Sequence, residues 1–206
     1  MSKSDDTKAQ IMRAAVQQFT LMGYEGAAVR DIANAAGVNI GLIRYHFGHK
    51  ADLYRDTLAY LSTQYNEVCL AALEEARESN DPEAIIGSWL LAPITSWQDD
   101  TVASGVEVLC FLNKMGYEDP ELTRDVYESH YSYALQEWQE AVQAFFPGLQ
   151  RGDWLWFLTS LRGMYFNIVA HNDFTLWSLP AISNREAAIR RLAADAVALL
   201  RLSSQS

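Results

Sequence analysis

Apolar residues in this sequence recur every three or four positions, as on one face of a helix, and no stretch alternates apolar and polar residues as a half-buried strand does. The clearest case is a short stripe formed by Val29, Ile32, Ala33 and Ala36. Gly37 follows directly, and glycine readily adopts the left-handed conformation that ends many helices. The pattern therefore predicts a short helix that ends at residue 36.

A second helix is predicted immediately after this turn. Asn39 can cap its first turn, and Ile43 and Phe47, four residues apart, can pack back onto the first helix. The remaining positions point outward: Gly41, Leu42, Arg44 and Tyr45. Two short helices joined by a tight glycine turn form a helix-turn-helix, whose second helix can enter the major groove of DNA. On these residues alone, a purely structural helical hairpin remains an open alternative.

Similar patterns predict seven further helices. Their approximate ranges are 7–22, 50–79, 82–96, 101–115, 120–146, 153–170 and 183–202. The sequence thus predicts an all-α fold of about nine helices, in which a three-helix head with the helix-turn-helix, residues 1–49, precedes a larger helical body, residues 50–206.

Four of these helices begin at recognisable start signals. Asp81 and Asp119 each precede a proline, so that a capping acid is followed by proline at the first helical position. Asp153 is a candidate cap for the next helix, and Ser183 with Glu186 forms a capping box for the last one. These signals predict where the helices begin independently of the apolar pattern.

Charge is distributed unevenly along the chain. The net charge is −10, yet residues 1–55 hold seven Lys or Arg against five Asp or Glu, which leaves −12 for the remainder. Only the N-terminal part can approach nucleic-acid phosphates without strong repulsion. An acidic body that simply keeps the protein soluble explains the same distribution, so charge alone does not decide the partner.

Several classes of protein are disfavoured. Cys69 and Cys110 lie singly in apolar helical patterns, which favours buried thiols over a disulfide or a metal site. No motif of a nucleotide-binding, hydrolytic or metal-dependent enzyme occurs, and no long apolar span or signal peptide is present. We expect a cytoplasmic protein that is not an enzyme and has no cofactor, no metal and no membrane partner.

The residues around the predicted helix-turn-helix resemble a known family. The stretch GYEGAAVRDIANAAGVNIGLIRYHFGHKADLY, residues 23–54, resembles the DNA-binding domain of TetR-family transcriptional regulators. The likeness lies in the glycine-valine turn at 37–38, the Tyr-His-Phe run at 45–47, and Lys50 at the start of a long helix. It implies that residues 1–49 bind double-stranded DNA and that residues 50–206 bind an effector and dimerise.

By position, the resemblance assigns DNA contacts to nine residues: Arg30, Asn39, Ile40, Gly41, Leu42, Arg44, Tyr45, His46 and Lys50. Arg44 can donate two hydrogen bonds to guanine, and Ile40 or Leu42 can contact a thymine methyl group. Asn39 either reads adenine or only caps the helix, and Lys50 is expected on a phosphate. Where many family members have polar residues this chain has Ile40 and Leu42, and it has Arg44 where tyrosine is usual. The operator sequence is therefore not predicted.

The resemblance also implies a small-molecule effector and a homodimer. The candidate effector contacts are Trp89, Phe111, Asn113, Tyr127, His130, Tyr131, Arg162 and His171. The candidate dimer interface is the apolar faces of the last two long helices, paired in a four-helix bundle: Phe157, Leu161, Tyr165, Ile168, Ile189, Leu192, Ala196 and Leu199. Packing inside the chain's own core is the alternative for the aromatic effector candidates and for the interface residues.

Together these features predict a ligand-responsive transcriptional regulator. By family default it is a repressor, which binds an inverted-repeat operator as a dimer and is released by a small molecule. The alternative is a helical DNA-binding regulator without an effector, which is controlled by a protein partner or is constitutive.

Overall fold

The computed structural model describes residues 3–97, 102–170 and 184–204, and all regular structure in these ranges is helical. The elements are α1 (Lys3–Gly26), α2 (Val29–Ala36), α3 (Ile40–Phe47), α4 (Lys50–Ser79), α5 (Pro82–Thr95), α6 (Gly105–Met115), α7 (Pro120–Val126), a π-helical turn (Tyr127–Tyr131), α8 (Ser132–Gln143), α9 (Arg151–Ala170) and α10 (Arg185–Ser203). Because α7, the π turn and α8 follow one another without a break, they count as one helix. The described ranges then contain nine helices, and the predicted all-α class is confirmed.

The chain divides into two compact units. Unit 1 comprises Met1–Tyr65 and Gln98–Ser132, and unit 2 comprises Asn66–Trp97 and Tyr133–Ser206. Unit 1 therefore combines the helix-turn-helix and the first half of α4 with α6 and α7.

The core of unit 1 is built around one tyrosine of α4. The Tyr54 ring lies 4.9 Å from Phe19, 5.4 Å from Tyr24 and 5.6 Å from Phe111, measured between ring centroids. Burial raises the pKa of the Tyr54 hydroxyl, and the negative charge of Glu118 raises it further. The hydroxyl oxygen is buried and has no hydrogen-bond partner among the described residues. These aromatic contacts join α1, α4 and α6.

Unit 2 is organised around α5, whose residues from Ile85 to Leu90 are all buried. Helix α10 packs against both α5 and α9. Two aromatic side chains donate hydrogen bonds to carbonyl groups of α5: Trp138 to Ile85 and Tyr165 to Leu90, both at 2.8 Å. The interior of unit 2 thus takes the inner faces of α9 and α10.

Two of the four predicted helix-start signals are confirmed. The carboxylates of Asp81 and Asp119 accept backbone N–H groups of their first turns at 3.0 and 2.9 Å. Helix α6 begins at Gly105 rather than near 101, because Ser104 and Glu107 form a capping box that the sequence analysis did not identify.

The last two helices begin differently from the prediction: the predicted cap Asp153 is wrong, and Asn184 caps the last helix. Helix α9 already begins at Arg151, so Asp153 lies within its first turn and does not cap it. Asn184 caps α10 by accepting the Ala187 N–H at 2.9 Å. Ser183, the predicted cap, lies outside the described residues.

Candidate nucleic-acid interface

The turn between α2 and α3 is set by backbone conformation. Gly37 has φ 66°, in the left-handed region, and its N–H donates to the Asn34 carbonyl at 3.1 Å. The next N–H, of Val38, donates to the Ala33 carbonyl at 3.0 Å. Asn39 is extended, and its Oδ1 accepts the Gly41 N–H at 2.8 Å. These bonds fix the direction in which α3 leaves the turn.

Helix α3 has one buried face and one exposed face, as its spacing predicts. Ile43 and Phe47 are buried and hold the helix against unit 1. On the other side Ile40 is 51% exposed and Tyr45 is 81% exposed, and Arg44 is exposed beside them. The exposed face of α3 therefore presents a cation, a phenol and aliphatic groups to a binding partner.

The side chains of this face are available to a partner, with one exception. Arg30 of α2 and Arg44 of α3 are exposed, and neither guanidinium forms an ion pair within the described ranges. His46 is half-buried, with its ring in edge contact with Tyr45 at 5.0 Å. Asn39 is the exception, because its side-chain oxygen already caps α3. Capping is therefore the role that the geometry shows for Asn39.

Lys50, at the start of α4, is bound to the end of α1. Its Nζ lies 4.5 Å from the centroid of the Tyr24 ring and 3.3 Å from the Glu25 carbonyl oxygen. The first turn of α4 is capped from inside the helix, since Asp52 Oδ2 accepts the His49 N–H at 2.9 Å. This is the half of a capping box in which an acid of the first turn accepts the N–H of the residue before the helix.

Two residues near Lys50 were not predicted from the sequence: Tyr24, which contacts it, and Glu118, which binds Tyr24. The Tyr24 N–H donates to Glu118 Oε1 at 2.8 Å across 94 positions of sequence. Burial raises the pKa of the Tyr24 hydroxyl, and the charge of Glu25 adds to the effect. No local pattern predicts such a pair, because Glu118 lies in the turn between α6 and α7, far from Tyr24 in sequence.

The helix-turn-helix can be compared with known protein families. Residues 11–57 match the family model described as bacterial regulatory proteins of the tetR family. The helix-turn-helix of this chain is therefore of the tetR-family type.

Two curated relatives resemble part of this chain. The HTH-type transcriptional regulator TtgR of Pseudomonas putida is 34% identical over 89 residues, which is 43% of this chain and 41% of TtgR. The HTH-type transcriptional repressor NicS, also of Pseudomonas putida, is 31% identical over 65 residues, or 32% of this chain and 31% of NicS. The matched part thus spans less than half the length of either relative.

The fold likeness extends further than the sequence likeness. The crystal structure of the TetR family transcriptional regulator PfmR from Thermus thermophilus covers 93% of this chain and 97% of its own, with a TM-score of 0.56 and 21% identity. At this identity the likeness concerns the fold alone. Within the described ranges, no helix combines the length and the apolar character that a membrane span needs.

Two of the predicted effector contacts are core residues of the protein. Trp89 is buried in unit 2, with its ring 5.7 Å from Trp138. Phe111 is fully buried in unit 1 against Tyr54. Arg162 is exposed, with its guanidinium 5.8 Å from a neighbouring phenyl ring, and Asn113 is half-buried. His171 lies outside the described residues.

The other three predicted contacts come together at the π turn. Tyr131 stacks on Tyr65 of α4 at 5.7 Å, and Tyr127 lies 5.6 Å from Tyr131. His130 Nδ1 is 3.4 Å from Thr63 Oγ1, also on α4. Single π turns within helices are frequent at functional sites. We call Tyr65, Tyr127, His130 and Tyr131 the tyrosine cluster.

An open groove in unit 2 lies apart from these predicted contacts. Its volume is about 530 Å³, and it runs beside α5 between the end of α4 and α10, lined mostly by alanine, glycine and serine. None of the predicted effector residues lines it.

The predicted dimer interface falls mainly inside unit 2. Six of its members are buried in the chain's own core: Phe157, Leu161, Tyr165, Ile189, Leu192 and Ala196. Ile168 and Leu199 are half-buried. The reason is that α5 already covers this side of α10, and α9 packs against α10. Three large apolar residues of α9 remain exposed: Leu155, Trp156 and Met164.

Proposed function

We propose that this TetR-family protein is a transcriptional repressor that binds double-stranded DNA as a homodimer through α3. The outer face of α3 carries the proposal. Ile43 and Phe47 hold the helix from behind, while Arg44 and Tyr45 stand exposed on the side away from the core. A helix anchored on one side and open on the other has the form that major-groove recognition requires.

The residues of this face divide into readers of bases and binders of phosphate. Arg44 donates two hydrogen bonds to O6 and N7 of a guanine, and Ile40 and Leu42 contact thymine methyl groups. Arg30 and Lys50 bind phosphates, together with Tyr45, His46 and the backbone at Gly41. If each subunit neutralises three or four phosphates, a plot of the logarithm of the DNA association constant against the logarithm of the salt concentration has a slope of about −5 to −7 for the dimer, which we call the log-log salt slope.

The dimer surface belongs on the side of α9 that carries Trp156 and Met164. These two large apolar side chains lie about two turns apart on the helix and are open to solvent in the protomer. A two-fold contact uses the same patch on both copies, so this side of α9 meets itself and removes both patches from water. Two copies held in this way present two α3 helices in opposite directions, which requires an inverted-repeat operator.

A small-molecule effector is the finer part of the proposal, and the tyrosine cluster is its site. Three phenol rings and an imidazole gather where the π turn meets α4. On α4, three residues before Tyr65 in the sequence, the Ser62 hydroxyl is buried and has no hydrogen-bond partner among the described residues. A ligand that bonds this hydroxyl would recover a cost of about 1 to 3 kcal/mol. Regulation without a ligand is the alternative.

Selection of bound duplexes from a random-sequence pool tests the DNA proposal. The wild-type protein should select an inverted repeat, and Arg44→Ala should lose discrimination at one position in each half-site, at a cost of about 1 to 3 kcal/mol. Arg124→Ala removes the same charge from an exposed site on α7 and is the matched control, with an unchanged selected sequence. Wild-type protein that selects no common sequence contradicts the proposal.

Thermal shift followed by binding tests the effector. Compounds that raise the melting temperature of the wild-type protein but not of Tyr131→Ala bind at the tyrosine cluster. Such a compound should weaken operator binding through a coupling of about 1 to 3 kcal/mol. Operator affinity that stays constant with every such compound favours regulation without a ligand.

A further inference from the structure

We infer that Glu118, in the turn between α6 and α7, is a positioning residue for DNA binding that acts through Tyr24 on Lys50. The inference rests on the proposed function, because it assigns to Lys50 a contact with phosphate. It adds a residue that lies far from the helix-turn-helix in sequence and carries the same charge sign as DNA.

The first step joins Glu118 to the end of α1. Its Oε1 accepts the Tyr24 N–H at 2.8 Å, in a part-buried position. A β-carbon on residue 23 would lie 3.3 Å from the same oxygen, so Gly23 both leaves room for the carboxylate and takes the left-handed backbone, φ 71°, that ends the main part of α1. A hydrogen bond to an ionised acceptor is shorter and stronger than one between neutral groups.

The carboxylate is itself held by a well-ordered turn. The N–H groups of Gly116 and Tyr117 donate to carbonyls at the end of α6, at 3.2 and 2.8 Å. Directly after Glu118, Asp119 caps α7 through the Glu121 N–H at 2.9 Å. Glu118 therefore lies between two fixed helix ends and has little freedom to leave Tyr24.

The second step runs from Tyr24 to Lys50. The ammonium group lies over the Tyr24 ring at 4.5 Å and donates to the Glu25 carbonyl at 3.3 Å. Both contacts involve the short segment that Glu118 anchors. A lysine side chain already held by a ring and a carbonyl group loses less conformational freedom when it binds a phosphate. If loss of Glu118 lets Tyr24 move, Lys50 loses these two contacts.

The sign of the mutational effect separates positioning from simple electrostatics. Loss of a negative charge near DNA should strengthen binding on charge grounds alone. The positioning role predicts the reverse: Glu118→Ala should weaken binding of the dimer by about five- to thirtyfold, as both subunits lose the attraction of one exposed cation–π pair. Glu118→Gln keeps an acceptor oxygen for the Tyr24 N–H and should bind as tightly as wild type or more tightly.

The experiment measures fluorescence anisotropy of a labelled duplex selected with the wild-type protein, over a range of salt concentrations. Glu118→Ala should also make the log-log salt slope less steep by up to about 2, since two phosphate contacts weaken. Lys50→Ala should give a similar loss, and the double variant should be no weaker than Lys50→Ala. Glu121→Ala removes the same charge from an exposed site three residues away and is the matched control; it should not weaken binding.

A separate readout keeps the test independent of DNA. Amide hydrogen exchange at Tyr24 should be faster in Glu118→Ala than in wild type and nearly unchanged in Glu118→Gln. If Glu118→Ala does not fold, Tyr24→Leu, which keeps the backbone N–H and removes the ring, should reproduce the loss of affinity.

Three results would overturn the inference. They are wild-type affinity in Glu118→Ala, additive losses in the double variant, and unchanged exchange at Tyr24. Failure of the proposed function looks different, because the wild-type protein would then select no duplex; that result removes the inference as well.

Discussion

Helices α3 and α9 both expose large apolar side chains, but the sequence pattern identifies the exposed face only in α3. In α3 the inward pair, Ile43 and Phe47, and the exposed Tyr45 lie where the spacing places them. In α9 the sequence analysis selected Phe157 for a dimer contact, yet Phe157 is 3% exposed and its neighbour Trp156 is 62% exposed. The two helices differ in how much their sequences restrict the choice of face.

The difference lies in how the apolar residues are arranged around each helix. Helix α3 has eight residues, begins at a capped turn and has an arginine among its outward positions, so only one rotation buries the apolar pair. In α9 five large apolar residues follow one another, from Trp154 to Leu158, and they cover every side of the helix. A period of 3.6 residues cannot select an inner face when all faces are apolar. Contacts with α10 and the bond from Tyr165 to α5 make the selection instead.

The largest effect is expected at Phe157, on the buried side of α9. Phe157→Ala should lower the free energy of unfolding by about 3 to 5 kcal/mol, because it leaves a cavity in the core of unit 2. Urea denaturation at two protein concentrations checks this, since a core residue has the same effect at both. Tyr133→Ala removes an exposed aromatic ring from α8 and should change the free energy by less than about 0.5 kcal/mol. A loss that disappears at high protein concentration would return Phe157 to the dimer interface.

Its neighbour should behave in the opposite way. Trp156→Glu should leave the protomer folded but raise the dissociation constant of the dimer by at least about a hundredfold, because two carboxylates would be buried opposite each other. Sedimentation velocity over a dilution series gives the constant. Tyr133→Glu places the same charge on another exposed aromatic position of unit 2 and should leave the dimer intact. Dissociation by both variants would show that the effect is not specific to α9.

Two buried tyrosines, one in each unit, should respond in opposite directions to loss of the hydroxyl group. Tyr165→Phe should lower the free energy of unfolding by about 1 kcal/mol, because its hydroxyl donates to the Leu90 carbonyl at 2.8 Å. Tyr54→Phe should raise it by about 1 kcal/mol, because it removes a buried hydroxyl without a partner. Urea denaturation of the two variants in parallel checks both signs. Equal losses would mean that the Tyr54 hydroxyl is satisfied.

Alkaline pH provides a second check on Tyr54. Its raised pKa means that the folded protein holds the phenol proton more tightly than the unfolded chain, whose tyrosine has the ordinary value of 10.0. The resulting stability is fully present below pH 10 and is lost as the pH rises towards the folded value. Tyr54→Phe should remove this part of the alkaline decline. An identical decline in the variant would assign it to other groups.

The smallest expected effect lies at the start of α2. Ala28 occupies the N-cap in an extended conformation, φ −94° and ψ 136°, and provides no side-chain hydrogen bond. Ala28→Ser should raise the free energy of unfolding by about 0.5 to 1 kcal/mol, since its hydroxyl can accept an N–H of the first turn. Thermal melting of the variant checks this, with Ala28→Val as the control that offers no acceptor. Equal melting temperatures would mean that this end of the helix is already satisfied.

The predictable features of this molecule are those fixed by neighbours in sequence. Gly37 and Asn39 set the helix-turn-helix within three residues, and the aspartates before prolines mark two helix starts. The π turn and the bond between Tyr24 and Glu118 were not predicted, because each depends on which helices meet in three dimensions. Local signals report on local hydrogen bonds, whereas partner choice in an all-helical core depends on shape.

Gly37 has a consequence for recognising distant relatives. A β-carbon added at Gly37 would have no atom within 4 Å, so there is room for a side chain. Most side chains are disfavoured there only because of the positive φ angle. Asparagine tolerates this torsion far better than a β-branched residue does. A homologue with asparagine at this position would therefore keep the same crossing angle between its two short helices. A search motif that requires glycine at this turn would miss it.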